Sequence, residues 1–465
     1  MLRNRRSFAW SLVLALLCAS IALAQRPPTT HAADNTYYVD TALDGSLTSD
    51  PSACVNNEND ANNKNCSFRQ AIQRANADTG SSEIRFIIPA DALDPDFGYD
   101  AATQSWVIRP NSPLPALTSG STTITGRNDN PAGTPRIVLD GTNVPITNAV
   151  GITLSSAGNI VTQLIIIKFS GTSATAGIGI RINSAAATGN QVYGNYIGNR
   201  PNDAIAYPNQ RAGIQIESGA TGNIIGLGDA PGQRNVISGN GANGSGDGII
   251  VQGAATNLIQ GNYIGLGLGP GLNPVQLANA GYGVQIADGT NNTVGGAPAT
   301  MRNVISGNGL AGVILTGTGS TGNQIIGNYI GTDVFGTADL GNGQDGVQIV
   351  GGAKNNTVAS SQASRAVISG NAGYGVLISD DGTTGNTVST VFIGVSVGGG
   401  LNLPNDAGGV RIQNDAASNT IGGASAGNVI SGNTGYGVSL GRTTSGFQDI
   451  VSNSVTGNYI GLNSA

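Results

Sequence analysis

Charge is scarce in this chain. Only 10% of its 465 residues are charged, the balance is −6, and the lysines are Lys64, Lys168 and Lys354 alone. There is no basic stripe, so nucleic acid and anionic membrane surfaces are not expected partners. Aromatic residues are scarce too, at 5%, against 72 glycines. Without a pattern, that composition would indicate disorder. Long apolar runs are absent beyond the first residues, so no membrane span is expected. Cysteine is limited to Cys18, Cys54 and Cys66, and histidine to His31.

The opening residues read as a secretory signal peptide over 1–24. Arg3, Arg5 and Arg6 precede a mostly apolar run at 8–23, and Ala22-Leu23-Ala24 fits a cleavage site. A cut after Ala32 is the alternative. Leu17 before Cys18 is too large for a lipidation site. Removal of the leader leaves Cys54 and Cys66. In an exported protein an even count reads as one disulfide, with two free thiols as the alternative. The expected location is outside the cell or in its envelope.

A repeat dominates the rest. A Gly-Val-x-Ile-like block begins at Gly151, Gly179, Gly213, Gly248, Gly283, Gly312, Gly346, Gly375, Gly409 and Gly437. Two further short strands follow each block, most entered through Asn-x-Ile or Asn-x-Val. One such coil cannot bury its apolar face alone, but stacked coils can. Val313 and Leu315 share one face of their strand, so columns of aliphatic side chains should form the core. Gly and Asn between strands suit corners with positive φ, and stacked asparagines can form amide ladders. The expected fold is all-β, a right-handed parallel β-helix of about ten three-strand coils over 151–465, roughly 50 Å long. A propeller is the alternative, but it needs about four strands per repeat, usually antiparallel.

Residues 25–150 lack the clean repeat and read as a cap with the first β coils. Ser67 and Gln70 form a capping box, and Phe68, Ala71, Ile72 and Ala75 line one face of a helix over 67–77. Strands are expected at 36–40, 84–88, 106–109, 122–125 and 137–139. The run CSFRQAIQRANA, followed by EIRFIIP, TTITG and IVLDG, resembles the CSLREA-type amino-terminal region of secreted bacterial proteins. Phe68 and Gln70 stand where that family has Leu and Glu. The resemblance covers 36–141 and implies that right-handed parallel β-helix repeats follow. GNYIG at 194–198, 261–265, 327–331 and 457–461, and VISGN at 236–240, 304–308, 367–371 and 429–433, resemble such repeats. The family brings no activity that transfers to particular residues.

Long and short coils mostly alternate. The long ones insert loops at 199–212, 266–282, 332–345 and 395–408, after strands carrying Tyr196, Tyr263, Tyr329 and Phe392; Tyr459 continues the column. These rings could form a glycan track, or each loop could fold back over its own ring. Arg234, Arg302 and Arg365 precede alternate VISGN strands and could meet an acidic polysaccharide, or serve as a solvated flank. Asp333, Asp339 and Asp345 share one loop with ligand chemistry for Ca²⁺, the one cofactor considered, and Gly244-Ser245-Gly246-Asp247 resembles a single Ca²⁺ nonapeptide.

Asp380 and Asp381, with Arg411 one coil on, resemble polygalacturonase segments. Gln413 replaces the expected Lys, however, and the Gly-His-Gly segment is missing. A solvated turn accounts for them as well. Nearly every polar feature recurs with the coil, whereas an active site needs a unique constellation. The expected function is therefore a non-catalytic exported protein in adhesion or polysaccharide binding. The alternatives are a polysaccharide lyase or glycoside hydrolase, and a passive stalk. The final Gly461-Leu462-Asn463-Ser464-Ala465 follows a repeat strand directly, which reads as a fragment of a longer protein or as an end that self-associates.

Overall fold

The computed structural model describes residues 35–45, 54, 66–127, 135–171, 173–241, 245–361, 363–441 and 451–461. The expected leader, Cys18, His31, most of the segment between the paired cysteines, Gly244 and the last four residues lie outside them.

Alternating Val and Ile make short strands, and glycines of positive φ turn the chain between them. The first strands of the coils, from Val150–Leu154 to Tyr436–Leu440, form one ten-stranded sheet. The second strands form a thirteen-stranded sheet from Asn35–Val39 to Ser454–Thr456. The third strands form another thirteen-stranded sheet, from Tyr99–Asp100 to Tyr459–Ile460. Each strand pairs in parallel with its counterpart one turn away, except the antiparallel pair of Tyr99–Asp100 with Ser105–Ile108. That is a parallel β-helix, and it excludes the propeller. The second and third sheets already contain Ser82–Phe86, Thr122–Thr125 and Ile137–Asp140, so the winding runs through residue 150 without a break.

Register stacks the core. In the first-strand sheet Ile152, Ile180, Ile214, Ile249, Val284, Val313, Val347, Val376 and Val410 form one buried column. Burying each such side chain contributes about 1.5–3 kcal/mol. Asparagines seal the corners. From Asn159 through Asn190, Asn223, Asn257, Asn292, Asn323, Asn356, Asn386 and Asn419 to Asn453, each Nδ2 donates to the next Oδ1 at 2.8–3.1 Å. A second ladder climbs from Asn209 to Asn433 before the first strands. A third precedes the third strands from Asn195 to Asn328, stops at Ala366, and resumes from Asn428 to Asn458. Most Oδ1 atoms in these ladders, those of Asn240 and Asn308 excepted, also accept a backbone N–H from the preceding turn, so the amides replace bonds that the corner denies the backbone.

Helix α1, Phe68–Ala77, opens with the expected capping box of Ser67 and Gln70. It lies against Asn35–Val39 and Ser82–Phe86, with the Phe68 and Phe86 rings 5.3 Å apart. Arg69 pairs with Asp44 at 2.7 Å and donates to the carbonyls of Ser112 and Pro113. Cys54 and Cys66 form a disulfide, which sets aside the free-thiol alternative.

Candidate functional site

On the third-strand flank the inserted loops determine what solvent reaches. Three of them are small antiparallel hairpins. Leu266–Leu268 pairs with Pro274–Gln276, Thr332 bridges Asp339, and Val395 bridges Asn402. Their apolar residues, among them Leu268, Val334, Leu340 and Val397, pack onto the outward column that alternates Tyr or Phe with Val. The rings of Tyr196, Tyr329 and Phe392 are thereby left 8%, 5% and 8% exposed. This corrects the expected glycan track at those positions: a ring gains more by covering apolar loop residues than by facing water. Burial pushes the Tyr196 hydroxyl up to about 12, against the opposing pull of Arg234. Tyr263 is half-buried, and Tyr459 is 60% exposed.

The arginine row and the aromatic row prove to be one feature. Arg234 lies 4.2 Å from the ring centre of Tyr263, Arg302 3.9 Å from Tyr329, and Arg365 4.3 Å from Phe392. Each arginine of a short coil therefore stacks on the ring of the long coil that follows. Burial lowers the Arg302 pKa from its ordinary value, partly offset by Tyr329 and Asp229. Among the described residues, none of these three arginines forms an ion pair.

A different site lies over the first-strand sheet. A cleft of about 550 Å³ is lined by Gln210, Arg211, Asp247, Tyr282 and Gln285, with Ile250 and Leu310 as its apolar part. The sheet positions them by register. Gln215, Ile250 and Gln285 are consecutive outward residues of adjacent strands, while Arg211 and Tyr282 sit in corners just ahead of theirs. Asp247 Oδ1 accepts from the Tyr282 backbone N–H at 2.7 Å. Burial drives its carboxyl up to about 6, while that hydrogen bond and Arg211 pull it down. Arg211 Nε donates to Gln215 Oε1 at 3.0 Å, and Gln215 Nε2 donates to Glu217 Oε2 at 2.5 Å. Arg181 Nε closes the chain on Glu217 Oε1 at 2.6 Å. Except for Asp247, noted as part of a Ca²⁺-like motif, these residues escaped sequence reading. The available signal was the residue just before the block glycine, where Asp247 and Asp345 are each followed one coil later by Tyr282 and Tyr374.

The remaining candidates do not assemble. Asp333 accepts from the N–H groups of Thr337 and Ala338, Asp339 from that of Gly341, and Asp345 from Tyr374 and Gln348. Asp333 and Asp339 thus tie their own turns, Asp345 ties its corner to the next coil, and among the described residues no group of three metal-ligating side chains forms. Asp380 accepts from Ser379 Oγ and Gly351 N, while Arg411 donates to Gln413 and Ser439. Asp381 is exposed in the turn beyond. The expected catalytic trio is therefore dispersed, because the two aspartates leave the strand before its register can align them with Arg411.

No protein-family model matches the chain, and no curated protein matches it in sequence. Solved structures are similar in fold. The periplasmic alginate epimerase AlgG is 11% identical, with 82% of this chain and 76% of that one covered and a TM-score of 0.40. The A-module of the Azotobacter vinelandii mannuronan C-5 epimerase AlgE6 is 14% identical, with 86% and 95% covered and a TM-score of 0.34. The Streptococcus pneumoniae surface protein and adhesin PfbA is 12% identical, with 84% and 95% covered and a TM-score of 0.26. At such values the likeness carries no argument about activity, and the fold assignment rests on the sheets themselves.

Proposed function

We propose that this chain is an exported, non-catalytic β-helix protein that binds polysaccharide or a cell-surface glycan through the cleft over its first-strand sheet. One observation carries the reading: the cleft gathers polar groups with unused bonding capacity on a rigid sheet. Among the described residues, the Tyr282 hydroxyl, the Gln285 amide and the terminal nitrogens of Arg211 make no hydrogen bond. Planar amides, a guanidinium and a phenol beside Ile250 and Leu310 suit the mixed polar and flat apolar faces of a sugar ring. Export is supported by the disulfide, which persists in oxidising compartments, and by the basic and apolar opening residues. The resemblance of residues 36–141 to the CSLREA-type region of secreted proteins points the same way.

A second reading, a polysaccharide lyase or hydrolase, draws on Asp247. A carboxyl pushed up to about 6 in a cleft is poised for proton transfer near neutral pH. Hydrolysis would call for a second carboxylate, and Glu217 is committed to Arg181 and Gln215. The test is a panel of neutral and acidic glycans, with calorimetry for binding and chromatography for products. Retention without product is expected, weakened about tenfold or more in Tyr282→Ala. Reproducible chain cleavage would replace the binding reading with the enzymatic one, and unchanged affinity in Tyr282→Ala would refute the cleft.

A further inference from the structure

The arginines on the third-strand flank combine three properties seldom found together on a solvated flank. First, they are periodic. Tyr263, Tyr329 and Phe392 lie two strands apart in one register, so the stacked Arg234, Arg302 and Arg365 recur at about 9.6 Å and span about 19 Å in all. Second, they are preorganised. A guanidinium laid on a ring has one face occupied and its rotamers restricted, leaving its edge as the binding element. Arg365 spends Nη1 on the Val397 carbonyl at 2.7 Å. Arg302 spends Nε on Gly327 at 3.0 Å and Nη2 on Ser364 at 3.1 Å. Among the described residues, Arg234 Nε is buried with no hydrogen-bond partner. Third, they are uncompensated. The chain has 27 acidic against 21 basic residues, yet no described carboxylate pairs with any of the three. Asp229 acts on Arg302 only at a distance.

We infer that this row is a second binding surface, distinct from the cleft, which takes a linear polyuronate by presenting one guanidinium edge to a carboxylate at every second coil. A guanidinium fork fits a carboxylate bidentately, and a polymer whose carboxylates recur along an extended chain engages several arginines at once. The competing account is that the arginines only shield the rings from water. It predicts a loss of stability on substitution and no effect on any ligand.

The full chain is titrated with polygalacturonate, with its methyl ester and with single-stranded DNA. Polygalacturonate is expected to bind best, more weakly as salt rises, and roughly tenfold more weakly for each of Arg234→Gln, Arg302→Gln and Arg365→Gln. Arg365→Lys keeps the charge but not the fork, and should recover only part of the loss. Oligogalacturonates too short to span about 19 Å should bind at least tenfold more weakly than the polymer. The methyl ester carries no charge to read, so its binding reports on the cleft; because Arg211 in the cleft also favours a charged polymer, the part of the polygalacturonate excess that the Arg234→Gln, Arg302→Gln and Arg365→Gln variants remove is what reports on the row. Melting is followed in parallel; if Arg234→Gln or Arg302→Gln does not fold, the exposed Arg365→Gln alone decides. A folded variant that binds polygalacturonate as the parent does overturns the proposal. So does a methyl ester, or a DNA strand, that binds as tightly as the polyuronate.

Discussion

Replacing Asn292 by alanine removes one rung from the longest amide ladder, and the structure fixes what each neighbour loses. The Asn292 amide donates to Asn323 Oδ1 at 3.1 Å and to the Ala254 carbonyl at 3.0 Å. Its Oδ1 accepts from both Nδ2 and the backbone N–H of Asn257, each at 3.0 Å. Three of the four partners keep another bond: Asn257 Nδ2 to Ala220, Asn323 Oδ1 from the Asn292 backbone, and the Ala254 carbonyl from Thr290. The Asn257 backbone N–H is the group left orphaned in the buried corner. An orphaned buried donor costs about 1–3 kcal/mol, and each of the three other lost bonds about 0.5–1.5 kcal/mol. The expected loss is therefore about 2.5–7.5 kcal/mol, read from urea unfolding followed by circular dichroism. Coils couple only to their neighbours, so a broken middle rung should also lower the m-value as the two halves begin to unfold separately. Asn292→Asp sharpens the test. The carboxylate keeps the acceptor roles but faces two oxygens in a buried site, so its pKa must rise. In the window between the ordinary carboxylate value and the raised one, the native state holds a proton that the unfolded state has lost. Stability should accordingly return as pH falls. A loss below about 1 kcal/mol for Asn292→Ala, or an Asp variant indifferent to pH, would refute the view that the ladder holds the corners.

Gly331 has φ +86°, and a Cβ there would collide with the Ser369 carbonyl; Gly331→Ala is expected to cost at least about 2 kcal/mol in urea unfolding. Breaking the Cys54–Cys66 bridge, which closes a loop with a sequence separation of 12, should cost about 3 kcal/mol, seen as a lower midpoint in Cys54→Ser/Cys66→Ser. Asp247 is raised from 3.8 to about 6, so its native state binds the proton more tightly than the unfolded chain. The sign follows directly: stability is greatest below the ordinary value, falls as pH rises through that window, and stays reduced above it. Asp247→Asn should abolish that slope and gain about 2–3 kcal/mol at neutral pH in denaturant titrations across the window.

The fold was legible because its signals are local and recur. The ten block glycines from Gly151 to Gly437 mark the ten strands of the first sheet. Ser67 and Gln70 announced α1 through a capping box that needs only three residues of separation. Asn before each Ile or Val foretold the ladders. The site was less legible, since it depends on which corner residue meets which across a turn. Arg302 and Tyr329 are each visible in the sequence, but their stacking is a property of side chains on adjacent coils. The burial of Tyr196 and Phe392 likewise follows from how hairpins at 266–282 and 395–408 fold back, which no periodicity encodes. Arg211 and Tyr282 precede their strands and Asp247 opens its own; where Asp247 and Tyr282 stand, other coils carry Ala311 or Gly408, so the position varies too much for recurrence to mark the site.

The stacking of each short-coil arginine on the ring of the following long coil has a bearing on how such a chain can change length. Deleting a single turn would bring two loops, or two bare valines, face to face and leave a guanidinium without its ring. Adding or removing turns in twos preserves the phase. Duplication of this gene segment should therefore be tolerated in steps of one long coil together with one short coil, and lengths differing by an odd number of turns should be disfavoured.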